Sequence, residues 1–210
     1  MSYNKTGKER ILFLIIMLFL AAGVFGQSNT RIRQLKELLD NNDITINVQG
    51  NGSSSGTSIL GTIRNATSAE IRLNVIINDG IYFQNSGKGQ NMIAVQIYLS
   101  DMSCFGNEND YFIILRPNAL TPVAIIAYCA NFELSNPSAS EKFTAARTPS
   151  NIRNISAKIS RYMADNFDAD ETIAIQLALW RTQGKSRSEI AAIFEFSDSD
   201  WNLSTIIMNY

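Results

Sequence analysis

Two stretches of this chain carry residue types that can react with each other: Tyr128-Cys129-Ala130-Asn131, with Pro137 shortly after, and Ile175-Gln176-Leu177-Ala178-Leu179-Trp180. A cysteine sulfur that attacks a glutamine carboxamide expels ammonia and leaves a thioester, an acyl group that persists only where water is excluded. The segment around Gln176 is apolar nearly all round, which places the glutamine in the interior of the protein. A buried primary amide needs hydrogen-bond partners, so Gln176 can equally act as a structural bolt to strand-end backbone. Cys129 has two further roles open to it. It can pair with Cys104, the default for an exported chain with two cysteines, or it can remain a small core residue. If Asn118 and Ala119 form the tip of a hairpin, Cys129 sits opposite Asn107, with Cys104 close by. Closing that loop would contribute about 3 kcal/mol.

Other chemistry is sparse. The chain has no histidine, which removes Ser-His-Asp and Cys-His arrangements, imidazole bases and histidine metal ligands. Two cysteines alone cannot hold zinc. Asp165, Asp168, Asp170 and Glu171 cluster before the Gln176 helix and could offer oxygen ligands to calcium. Their spacing is not that of an EF-hand, however, and acids at a helix start are expected from the macrodipole alone, as for Asp198 and Asp200. The residues therefore assign no catalytic set, no metal site and no cofactor. An enzyme reading would have to be a carboxylate-dependent hydrolase, and nothing singles out a pair of acids for it.

The elements that must position these residues fall into three grammars. Residues 1–26 read as a signal peptide: Lys5, Lys8 and Arg10 precede an apolar run from Ile11, and Val24-Phe25-Gly26 suits cleavage before Gln27. The run is short for a membrane span, although retention as an anchor is the alternative. Cleavage moves the formal charge from −1 to −3, because Lys5, Lys8, Arg10 and Glu9 leave together. That balance, with no basic cluster, argues against a nucleic-acid partner. A short amphipathic helix is expected within residues 27–42, on Ile32, Leu35, Leu38 and Leu39. From Asp43 to residue 135 seven short β-rich runs alternate with Asn, Gly, Asp and Pro, the pattern of an antiparallel Ig-like sandwich. After Pro137 the period lengthens, and three to four helices follow. Ser186 with Glu189 makes a capping box, Ser197 caps the last helix, and Gly184 ends the helix of Gln176. The architecture expected is α+β, with a helical subdomain over residues 136–210 packed on the sandwich.

Aromatic-Cys-apolar, then a proline, then apolar-Gln-x-x-apolar-apolar resembles the motif pair of the thioester domains of Gram-positive surface adhesins. The resemblance implies that Cys129 and Gln176 form the thioester and couple to a partner amine. Ile175 stands where a threonine often precedes the glutamine, and no cell-wall sorting signal follows. Over most of the mature length the chain also looks like uncharacterised secreted bacterial β-sandwich proteins with a Cys-x-Asn/Asp…Pro segment and a Gln-x-Ala-x-Trp helix. That likeness rests on Gly50-Asn51-Gly52, Ile63-Arg64-Asn65-Ala66-Thr67, Ile76 to Phe83, Gln90-Asn91-Met92, Cys129-Ala130-Asn131 and Gln176 to Trp180, and it implies a fold without an activity. The expectation is a secreted, periplasmic or surface-exposed non-enzymatic binding or structural module. Its partner would be a protein or a cell-surface ligand, with no membrane span once the leader is removed.

Overall fold

Alternating apolar residues from Ile44 onward build strands whose inward faces meet in one core, and the helices that follow close over part of the outside. The computed structural model describes residues 31–100, 111–166 and 171–210, so the expected signal peptide lies outside the described residues. The strands are β1 Ile32–Arg33, β2 Ile44–Gly50, β3 Thr57–Asn65, β4 Ile71–Asn74, β5 Ile76–Asn85, β6 Met92–Leu99, β7 Phe112–Leu115, β8 Leu120–Cys129 and β9 Lys142–Ala146. The helices are α1 Leu35–Asp40, α2 Ser150–Asp165, α3 Thr172–Thr182, α4 Arg187–Ala191 and α5 Asp198–Asn209.

The mixed α+β layout, with helices after the sheets, is as expected. The expected Ig-like sandwich is not what the strands form: six of them close as a barrel in the order β2-β3-β8-β6-β5-β9, while β1, β4 and β7 make a separate three-stranded sheet. Closure depends on β9, a strand within the stretch expected to be helical. Phe143 pairs with Val48 of β2 on one side and with Asn85 of β5 on the other. This strand lies beyond residue 135, so the barrel draws on chain past the expected end of the β region.

Two connections also differ from the sequence reading. Among the seven β-rich runs, Glu70 to Ile77 reads as one strand and Ile81 to Gln84 as the next. The break falls instead at Val75, and β5 runs through Asn78-Asp79-Gly80 as an irregularity in its register with β6. Asp79 and Gly80 both take positive φ there, at 63° and 65°, so a turn signature is used as a bulge. A Cβ at Gly80 would lie 3.0 Å from Ser156 Cβ, which lets α2 lie close on β5. Further along, β7 pairs with β4 and β8 pairs with β3 and β6. The hairpin premise that set Cys129 opposite Asn107 therefore does not hold.

Helix α2 buries Ile152, Ile155, Ile159 and Met163 at the expected spacing. Ser160 Oγ on its buried face donates to the Ile77 carbonyl at 2.7 Å, tying the helix to β5. Helix α3 is buried from Ala174 to Trp180 and is held between α5 and the end of β8, as its all-round apolar surface requires. Gly184, at φ 86°, ends it. Both expected C-terminal caps are present as full capping boxes, Ser186 with Glu189 and Ser197 with Asp200.

Candidate functional site at the strand–helix seam

Cys129 closes β8, and Gln176 lies one turn into α3; neither has any exposed surface. The two meet. Gln176 Oε1 accepts from the Cys129 backbone N–H at 2.9 Å, and Gln176 Nε2 donates to the Cys129 carbonyl at 2.9 Å. One side chain thus satisfies both main-chain groups of the other residue, as a neighbouring strand would. The structural-bolt expectation predicted this geometry, and it brings the carboxamide against the residue that carries the thiol.

The Cys129 N–H is shared. It also points at the Ser54 carbonyl, at 3.1 Å, while the Ala127 N–H donates to the Gly56 carbonyl at 2.9 Å. The loop between β2 and β3 therefore runs beside the end of β8 at Cys129. The Cys129 thiol faces Met92, its ladder partner in β6, with Sγ 3.8 Å from Sδ. Burial pushes this thiol up to about 12, so it is protonated at neutral pH. Cys104, the other half of the expected disulfide, lies outside the described residues.

The residues after Cys129 lock the strand end. The Asn131 side-chain oxygen accepts from both the backbone and the side-chain amide of Asn91, at 3.1 and 2.7 Å, and the Ala130 N–H donates to the Asn91 carbonyl at 2.8 Å. This accounts physically for an asparagine two places after the cysteine. Phe132 meets Trp180 edge to face with ring centroids 5.1 Å apart, and Trp180 meets Phe194 at 5.3 Å, so the tryptophan is a core anchor. Trp201 stacks on Phe196 beneath the Arg181 guanidinium.

Glu141 was not singled out in the sequence. Its carboxylate accepts from Asn85 Nδ2 at 2.7 Å and from the Ser138 N–H at 3.0 Å. Those bonds, the Asn85 one first, hold its pKa below the ordinary value. It staples the chain after Pro137 to the end of β5. Only its position between Pro137 and a short β-prone run could have pointed to it.

The acidic cluster divides. Glu171 accepts from the Tyr162 hydroxyl and Asp165 from the Tyr210 hydroxyl, while Asp168 and Asp170 lie outside the described residues. Burial, and then the bond to Glu171, raises the Tyr162 phenol above its ordinary value. Asp200 accepts from the Ser197 hydroxyl and N–H, which lowers its pKa, so it stays ionised. Among the described residues no three acids or cysteines gather as a metal site.

A groove of about 380 Å³ opens beside the seam, lined by Ser55, Gly56, Thr172, Ile173 and Asp200. Thr172 stands four residues before Gln176, one turn away on the same face of α3. Comparisons with protein-family models, with curated proteins and with solved structures return no match to this chain.

Proposed function

We propose that this protein is an exported, non-enzymatic binding module of the bacterial periplasm or cell surface, whose defining feature is the Cys129–Gln176 seam. The observation that carries the reading is the fully buried two-bond clamp between the Gln176 carboxamide and the Cys129 main chain. It joins barrel to helices with neutral groups, so the clamp itself carries no charge to be screened by salt. The basic and apolar N-terminus supports export. Among the described residues no helix is long and apolar enough to cross a membrane.

A second reading makes the binding covalent. The Cys129 N–H sits on Gln176 Oε1, where negative charge develops when sulfur attacks the amide carbon. In that step the S–C bond forms, the C–N bond breaks, and the thiol proton leaves with ammonia. A partner amine then attacks the thioester carbonyl: a C–N bond forms, the C–S bond breaks, and a proton from the amine passes to sulfur. Peptide-resolved mass spectrometry of the purified mature chain separates the two modes. A thioester shows as the loss of one ammonia across the peptides of Cys129 and Gln176, absent in Cys129→Ala and converted to a methylamine adduct on Gln176. An unmodified pair leaves the clamp purely structural. Localisation to those peptides is essential, because Gln27 as a new N-terminus can also lose ammonia by cyclising.

A further inference from the structure

We propose that the Asn51–Gly56 loop is a gate over the Cys129–Gln176 pair: lifting it opens the path from the adjoining groove to the Gln176 carbonyl and frees the Cys129 N–H at the same time. This rests on the thioester reading. With Cys129 and Gln176 both wholly buried, no nucleophile in solvent reaches the acyl carbon while the loop lies as it does. Among the described residues this loop, exposed at Asn51, Gly52 and Ser53 and half-buried from Ser54 to Gly56, hydrogen-bonds the cysteine itself, through Ser54, and the strand end beside it, through Gly56.

Its composition suits movement. Asn51-Gly52-Ser53-Ser54-Ser55-Gly56 contributes no residue to the hydrophobic core. Gly52 and Gly56 take φ of 96° and 70°, so positions near both ends lie where only glycine turns freely. The closed form is held by Asn51, whose Nδ2 donates to the Thr57 carbonyl at 2.6 Å and whose Oδ1 accepts from the Ser53 N–H at 2.9 Å. Gly56 rests against Thr172, at the rim of the groove, one helical turn from Gln176.

The shared hydrogen bond makes the gate more than a cover. The Cys129 N–H divides between Ser54 O at 3.1 Å and Gln176 Oε1 at 2.9 Å. When the loop lifts, Ser54 withdraws and the N–H is left to the Gln176 oxygen, where the attacking amine drives negative charge. Access and activation are coupled through one hydrogen atom.

The test locks the gate with Gly56→Cys and Thr172→Cys, since a Cβ at Gly56 lies 3.6 Å from Thr172 Oγ1, with the reduced double variant as the control for the strain that a side chain meets at φ 70°, and loosens it with Asn51→Ala. Methylamine uptake at Gln176 is timed by peptide mass spectrometry in the full mature chain. The oxidised double variant is expected to react about tenfold slower than its own reduced form, and Asn51→Ala at least about threefold faster than wild type. Equal rates in the oxidised and reduced forms, or an unchanged rate in Asn51→Ala, overturn the gate while leaving the thioester standing. If the double variant does not fold, the Asn51→Ala rate decides alone. A wild-type chain with no ammonia deficit before amine is added overturns the thioester reading and the gate with it.

Discussion

Gln176 does with one side chain what a neighbouring strand does with a peptide unit, and the cost of removing it follows from what it leaves behind. In Gln176→Leu the Cys129 carbonyl loses its side-chain donor in a fully buried site, while the N–H keeps Ser54. The variant should lose about 2–3 kcal/mol of unfolding free energy, measured by urea denaturation, and a loss near zero would contradict the clamp. Cys129→Ala leaves the main-chain bonds in place and changes the pH response instead. The free thiol has its pKa raised from 9.0 to about 12 in the folded state. A raised folded value contributes stability that is complete below pH 9 and is lost as pH rises through 12. Wild type should therefore fall more steeply than Cys129→Ala across that window in urea titrations at stepped pH. Parallel curves would mean that no buried free thiol is present. The chemistry-bearing types were legible at this scale, since a glutamine in an all-apolar helix has few places to be. Ser54 was not legible, because its contribution is a carbonyl, which every residue carries.

Local signatures decided most elements, and they failed where a signature serves two structures. The Ser186 and Ser197 caps were readable because a capping box closes within four residues. Asn78-Asp79-Gly80 reads as a strand break yet forms a bulge, because the same positive-φ residues suit both. Strand β9 was missed because Lys142–Ala146 has a single large apolar residue, Phe143, and gains its strand state from two neighbours. At the last helix, the Ser197 bonds lower the Asp200 pKa below its ordinary 3.8. A lowered folded value contributes stability that is present above the unfolded pKa and lost as pH falls through the folded one. Asp200→Asn should thus flatten the acid limb of the helix signal below about pH 4, followed by circular dichroism; an unaltered acid limb would count against the cap. In β6, Gln96 is buried with neither end of its side chain partnered among the described residues. Gln96→Met should therefore raise stability by about 1 kcal/mol in thermal or urea unfolding; destabilisation would mean that the amide is satisfied.

The whole molecule depends on closure. Phe143 sits at the junction of β2 and β5 and is nearly buried, so Phe143→Ala should cost about 3 kcal/mol. Hydrogen exchange should show protection lost first along β9 and the facing residues of β2 and β5. Uniform loss over the whole barrel would instead indicate that the seam is not a separable part of the fold.

The sequence by itself determined most element types from Asp43 onward, with β9 and the bulge in β5 the exceptions, and with them the order of strands before helices, the exclusion of histidine chemistry and the burial of Gln176. All of these follow from residue type and from the short periods of 2.0 and 3.6, which are local. Only the tertiary structure decided that six strands close on themselves, that β7 leaves the hairpin it would make with β8, and that Gln176 meets the main chain of Cys129. Strand pairing joins residues far apart in the chain through backbone groups common to all of them, so no short run of sequence could name its partner.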